Sequence, residues 1–391
     1  MKPRLLFIDQ SGLLGGAELC LLDIATHYRE QSEVLLLGEG PFLDRLEQSG
    51  VQASVLRVPA RLHQVRRETG AAGSSGAVWA ALSLAREVAR RARAFDLLYA
   101  NTQKAFVVAS LAGKLAAKPV LFHLRDILSP EHFSRSNRRL VTALANRLAA
   151  RVVANSRASA EAFRQAGGRK QVEVVYDGID EQALALPRPG DGSLREQMGL
   201  SGLPLVGVFS RLAPWKGQHV LLEALAQLPG VHAWCVGEAL FGEEDYASSL
   251  RARTEQPDLE GRVHFLDFRS DAAALMAQVD AVLHTSTVAE PFGRVIVEGM
   301  MAARPVIATA GGGALEILED GRSGLLVPMG DPGALSSAIR SLYRDPAWAG
   351  ELASAGQRRA KEHFSLEVTL PSLQREIAAA LQGGPRRGLV L

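Results

Sequence analysis

The sequence predicts an α/β protein made of two doubly wound domains, each a parallel sheet covered by helices on both faces. Short apolar runs alternate with amphipathic stretches along the whole chain. One Pro/Gly/Asp-rich segment interrupts the alternation, and 391 residues exceed what a single compact core usually holds.

The first apolar run, RLLFID (4–9), ends in the Gly-rich turn SGLLGGAE (11–18), after which Leu19, Leu22 and Ala25 recur at helical spacing. EVLLLGEG (33–40), ASVLRV (53–58), FDLLYANT (95–102) and KPVLFHL (118–124) read as further strands, with helices over 77–93 and 138–150. RVVANS (151–156) and VEVVYDG (172–178) extend the series. LPRPGDGS (186–193) is the expected linker. A second series then runs through LPLVGVFS (203–210), HAWCVGE (232–238), RVHFLDF (262–268), DAVLHTS (280–286), RPVIATA (304–310) and GLLVP (324–328). The expected division is residues 1–188, residues 189–362, and a helical tail over 363–391 that returns to the first domain. Ligands of such sheets gather at the carboxyl ends of the strands, so the expected site is the cleft between the domains.

Apolar residues make up 47% and charged residues 22%, the composition of a soluble globular protein. Cys20 and Cys235 stand far apart among aliphatic neighbours, which fits buried free thiols better than a disulfide or a metal site. Only Leu5–Ile8 are apolar before Asp9, too few for a signal-peptide core. No apolar stretch reaches the ~20 residues of a membrane span, so a cytoplasmic chain is expected. The net charge of +2 hides an asymmetry: residues 1–190 carry 26 basic and 18 acidic residues, or +8, and the remainder 18 and 24, or −6. REVARRARAFD (86–96) and RSNRRLVTALANRLAARVV (135–153) read as ordinary amphipathic surface helices. The alternative is peripheral contact of this basic domain with an anionic bilayer at the inner face of the membrane. Nucleic acid is disfavoured as a partner, because aromatic residues are only 6% and none form a stacking platform among the arginines.

The most informative stretch is EPFGRVIVE (290–298), an apolar run between two glutamates. Pro291 favours a helix start, which places Glu290 before the helix and Glu298 about two turns into it. The free backbone N–H groups at Phe292–Val295 form an anion site, most naturally for phosphate, and Gly293 admits a close approach. Two acids would repel a diphosphate: unit charges about 4 Å apart interact by about 4 kcal/mol at an effective dielectric of about 20. Arg211 and Lys216 in FSRLAPWKGQ (209–218) supply the offset. Gly15 and Gly16 at the first strand–helix turn are candidates to close on the same phosphates. The plainer readings are a capping acid with a solvated one for the glutamates, loop charges for Arg211 and Lys216, and a simple tight turn for the glycines.

EPFGRVIVE matches the E-x7-E motif, and the chain resembles the retaining glycosyltransferases of family 4. The resemblance covers almost the whole length: GGAE, FHLRD, VVANS followed by VVYDGID, the Arg211…Lys216 pair, FLDF, and GGGALEILEDGRSGLLV (311–327). It implies a GT-B fold of two Rossmann-like domains, the first binding acceptor and the second a nucleotide sugar. The implied donor is a UDP- or GDP-sugar, the acceptor a glycan or lipid-linked glycoconjugate, with no cofactor and no metal. By the same resemblance Glu298 holds the ribose hydroxyls and Glu290 the donor sugar. Arg211 and Lys216 stabilise the departing diphosphate, helped by amides around Gly293–Val295 and the Gly16 turn, and Pro291, Phe292, Gly293, Arg294 and Val295 belong to the implied donor-binding segment. His123 lies beside the sugar, although a histidine at a strand end is also a common structural residue. Leu266, Asp267, Phe268 and Arg269 bracket the base. Two positions depart from the family pattern. Asp177 stands for an Asn, which a tight turn tolerates equally, and Ser210 stands for a Gly before Arg211. A dinucleotide-dependent oxidoreductase is disfavoured, since SGLLGGAE lacks the G-x-G-x-x-G spacing. A nucleotide-sugar epimerase on the same scaffold, or a catalytically silent binder, stays as the alternative.

Overall fold

The computed structural model describes residues 3–56, 75–182, 184, 193–240 and 242–383. Two compact units divide the chain, Met1–Gly178 together with Leu366–Leu391, and Ile179–Ser365. Most of the expected linker, including the 188/189 boundary, lies outside the described residues.

The first unit is a seven-stranded parallel sheet in the order β3-β2-β1-β4-β5-β6-β7. Its strands are β1 (Leu5–Asp9), β2 (Ser32–Leu36), β3 (Ala53–Val55), β4 (Leu97–Ala100), β5 (Val120–Leu124), β6 (Arg151–Ala154) and β7 (Val172–Val174). Its helices are α1 (Gly16–His27), α2 (Pro41–Gln48), α3 (Ser75–Ala92), α4 (Gln103–Ala116), α5 (Arg135–Leu148) and α6 (Arg157–Gln165). β1, β4 and β5 are buried along their whole length, which is why they read as unbroken apolar runs. In α5 the Ser134 hydroxyl caps the first turn, and Val141, Thr142 and Ala145 face inward. Arg135, Arg139 and Leu140 are left exposed.

The second unit opens with α7 (Leu194–Gln197) and β8 (Leu205–Phe209), followed by a 3₁₀ turn (Pro214–Lys216) and α8 (Gln218–Ala226). Then come β9 (His232–Val236), α9 (Glu244–Thr254), β10 (Val263–Leu266), α10 (Ala272–Met276), β11 (Ala281–His284) and α11 (Arg294–Met301). β12 (Val306–Thr309), α12 (Ala314–Ile317), β13 (Leu325–Val327), α13 (Pro332–Arg344) and α14 (Pro346–Phe364) complete it. Its six strands are parallel in the order β10-β9-β8-β11-β12-β13. The last helix, α15 (Leu366–Gln382), belongs to the first unit. Its Leu370, Leu373, Ile377 and Ala380 share a core with Leu5, Phe7, Leu97 and Leu121. Cys20 and Cys235 are buried and not joined in a disulfide, and burial pushes the Cys235 thiol up to about 12. Among the described residues no helix is long and apolar enough to cross a membrane.

Each sheet reverses its winding once, between β1 and β4 in the first and between β8 and β11 in the second. Loops leaving the carboxyl ends of such a strand pair diverge and open a crevice for a ligand.

Candidate functional site

In the second unit the loop after β8 is tied to the loop after β11. Thr285 Oγ1 donates to the carbonyl of Lys216 at 2.8 Å, and the Thr287 N–H donates to the carbonyl of Trp215 at 2.9 Å. Gly217 takes φ +71°, and a Cβ there would lie 2.0 Å from the Thr285 oxygen, so only glycine closes this turn. The result is to set Lys216 beside Glu290, Nζ to Oε1 at 2.7 Å. The ammonium also sits 4.3 Å from the centre of the Trp215 ring, with the Arg211 guanidinium 5.7 Å from the same ring.

Glu290 is 8% exposed. Its Oε1 also meets His284 Nε2 at 2.9 Å and the Ser286 hydroxyl. Burial pushes the carboxyl upward, but the Lys216 ammonium and then His284 outweigh it and hold the group well below the usual carboxylate range. Its backbone is fixed from the other side, where the Gly313 N–H donates to the Glu290 carbonyl at 2.9 Å.

The helix start differs from the sequence expectation. Gly293 takes φ +105°, which no helical residue adopts, so α11 begins at Arg294 and Pro291 stands outside it. Glu298 is therefore little more than one turn in, where Arg294 Nε donates to its Oε1 at 2.7 Å. Phe292 is buried edge-on against Phe364. Val295 is half-buried in the first turn of α11. Arg211 Nε lies 3.1 Å from Glu243, so Arg211, Lys216 and Arg294 each have an acidic partner in this unit. Ser210 turns its hydroxyl to Gln218, which donates both to it and to the Arg211 carbonyl, each at 2.9 Å. Leu266 ends β10, two strands from β8 and so about 10 Å away. Asp267, Phe268 and Arg269 are exposed beyond it, Arg269 gripping Asp271 with two bonds of 2.7 Å.

In the first unit Gly15 caps α1 and Gly16 is its first residue. His123 is 1% exposed and faces a small pocket walled by Val175, Gly178, Leu366 and Thr369. Arg125 Nη2 reaches His123 Nδ1 at 3.4 Å and can only donate, so Nδ1 accepts and the ring proton sits on Nε2. The Tyr99 hydroxyl also engages Nδ1, and burial with the Arg125 charge keeps the ring neutral, well below its ordinary pKa. Nε2 has no hydrogen-bond partner among the described residues.

Sequence reasoning missed the network around Arg125. Asp9 ends β1, and Asn101, Arg125, Asn155 and Asp177 follow β4, β5, β6 and β7. They join as Asp9–Asn101 (2.6 Å), Asn101–Arg125 (2.7 Å), Arg125–Asp177 and Asp177–Asn155 (3.1 Å). Asp177 is thus half of a buried ion pair as well as a turn residue. The signal was available: each of these apolar runs ends in a polar residue on the same edge of the sheet. Glu18, in GGAE, is held up to about 8 by burial and by Asp9. A carboxyl raised from 4.5 to about 8 on folding binds its proton more tightly in the folded chain. Its contribution to stability is complete below pH 4.5 and lost as the pH rises through 8. Thermal melts of the parent should fall across that window, and Glu18→Gln should flatten the fall.

Two family models match this chain. "Glycosyl transferase 4-like domain" covers residues 15–178 and "Glycosyl transferases group 1" residues 193–363. The chain is 43% identical to Anabaena Alr3699/HepE, solved in complex with UDP and glucose, over 96% of its own length and all of that chain, with a TM-score of 0.89. It belongs to the group 1, family-4-type glycosyltransferases. Its two doubly wound units are those of the GT-B fold. The same Anabaena protein has been solved with UDP-glucose. Among curated members, the lipopolysaccharide core biosynthesis glycosyltransferase LpsE of Rhizobium meliloti is 29% identical over 225 residues, 56% of this chain and 61% of LpsE. The D-inositol 3-phosphate glycosyltransferase of Mycobacterium marinum is 35% identical over 211 residues, 52% of this chain and 44% of that protein. The chain thus spans about half the length of the curated relatives it matches.

Proposed function

We propose that this glycosyltransferase moves a hexose from a nucleotide diphosphate sugar, UDP-glucose being the first donor to test, to a hydroxyl of a glycan or lipid-linked acceptor, with retention at the anomeric carbon. The observation that carries the reading is the Lys216–Glu290 pair in the β8/β11 crevice. It sets a cation for a diphosphate beside a carboxylate that accepts hydrogen bonds from a sugar. Lysine has three N–H donors and spends one on Glu290, so the diphosphate need not displace the acid. Arg211 and the first amides of α11 add to the same field. In this reading these groups supply the charge that a divalent ion would otherwise bring. Glu298 takes the ribose hydroxyls, and Leu266–Arg269, about 10 Å along the strand ends, flank the base.

For the chemistry we favour same-face attack. The bond from the anomeric carbon to the phosphate oxygen breaks, the acceptor oxygen bonds to that carbon on the same face, and its proton passes to the departing phosphate oxygen. The resemblance also gives Gly15, Gly16 and His123 of the first unit contacts with the donor. For His123 that role requires its unpartnered Nε2–H to reach the sugar. Arg135, Arg139 and Leu140 on α5 form the surface on which contact with an anionic bilayer would rest.

Melting in the presence of UDP-, GDP- and ADP-sugars tests the donor. At 100 times its dissociation constant the correct ligand adds about 2.7 kcal/mol. Glu298→Ala should weaken UDP binding roughly tenfold, the worth of a charge-assisted hydrogen bond, whereas Glu290→Ala should leave UDP binding intact and lower sugar release. No protection by any of the three sugar classes would refute the reading.

A further inference from the structure

The Glu290 carboxylate is held by one oxygen only. Lys216 Nζ, His284 Nε2 and the Ser286 hydroxyl all converge on Oε1. Oε2 takes no hydrogen bond from any described residue, although Glu290 is 8% exposed. A carboxylate oxygen only accepts, so His284 must present Nε2–H to it. His284 is the last residue of β11 and 4% exposed, so its ring has little freedom. Its other nitrogen lies 3.3 Å from Thr309 Oγ1 at the end of β12, and that hydroxyl donates to the Ser286 carbonyl at 2.8 Å. Thr309 therefore holds the Ser286 backbone and sits against the His284 ring, beside two of the three groups that grip Oε1.

We propose that His284, seconded by Ser286, is a positioning residue for sugar transfer: by fixing Oε1 it turns Oε2, with its lone pairs free, toward a hydroxyl of the donor sugar. The assignment rests on the reading of Glu290 as the sugar-holding carboxylate. Lys216 alone would not set this orientation, because an ammonium on a flexible stem follows the carboxylate as it turns. A ring and a hydroxyl fixed at a strand end do not follow. The consequence is specific to the sugar half of the donor, since UDP alone does not require Oε2.

The test uses the full chain, with UDP release from UDP-glucose as the rate and thermal protection by UDP as the binding measure. His284→Leu keeps the bulk and removes the donor. It should lower kcat for UDP-glucose roughly 10- to 100-fold and change the affinity for UDP less than about twofold. His284→Gln can place an amide N–H near the position of Nε2 and should recover most of the loss. Ser286→Ala should shift kcat in the same direction, by less. If His284→Leu weakens UDP as much as it slows UDP-glucose, or if His284→Gln is no better than His284→Leu, the residue is merely structural and the proposal fails. A parent chain that neither binds nor cleaves any sugar nucleotide would instead sink the donor reading, and this assignment with it. A parent that cleaves UDP-glucose, with His284→Leu undiminished, sinks the positioning role alone.

Discussion

Lys216→Ala is expected to lower the turnover of UDP-glucose by roughly 100- to 1000-fold, the cost of removing one preorganised charge from a developing anion. The ammonium is placed in advance by its backbone, clamped by Thr285, and by the face of the Trp215 ring. Little reorganisation remains to be done when the diphosphate leaves. The substitution has a second effect. Lys216 is the largest opposing influence to burial on Glu290, so without it the carboxyl moves up from its depressed pKa and, in the proposed role, would hold the sugar less well. Lys216→Arg should rescue poorly, because the larger planar guanidinium does not fit the place of the compact ammonium between Glu290 and the Trp215 ring. Steady-state kinetics separate the outcomes. Equal loss in kcat and kcat/KM marks an interaction made in the transition state, whereas a rise in KM alone would reduce Lys216 to a binding residue.

Much of the fold was legible because parallel strands buried on both faces leave uninterrupted apolar runs, and every strand named in the second unit falls within one. EPFGRVIVE was legible for a different reason: acids bounding an apolar run are conspicuous, and the structure gives both of them cationic partners. His284 was not. Inside DAVLHTS it passes for a strand residue, and its meaning depends on the chain turning back six residues later to bring Glu290 against its Nε2. Trp215 and Gly217 were hidden by topology, since they are explained by Thr285 and Thr287, which are near only because β8 and β11 are neighbours. The helix start was misplaced because a proline there is compatible with two registers, and a left-handed glycine two residues later decided between them. The Arg125 network escaped for the same reason as Trp215: its members come from five strands whose spatial order a one-letter string does not carry.

That network yields the largest expected effect on stability. Asp177→Asn should destabilise the chain by roughly 3–5 kcal/mol, because it strips the counter-charge from a buried guanidinium. The side chains of Arg125 and Asp177 are 2% and 5% exposed, so water cannot take over. Burial works against the Arg125 charge, and Asp177 beside it reverses that and raises its pKa above the ordinary value. The carboxamide keeps the shape but offers one accepting oxygen where two are used, Oδ1 by Arg125 and Oδ2 by Asn155. Its amide hydrogens would then face one of those donors. A residue that served only the turn would predict almost no change, since Asn and Asp enter tight turns with similar ease. Urea unfolding of the parent and the variant decides between the two: a loss under about 1 kcal/mol would return Asp177 to the role of a turn residue. Removing both charges gives the control. Arg125→Met with Asp177→Leu should cost less than the two single substitutions added together, because each single one strands a buried charge, while Asn101 and Asn155 lose a partner in either case.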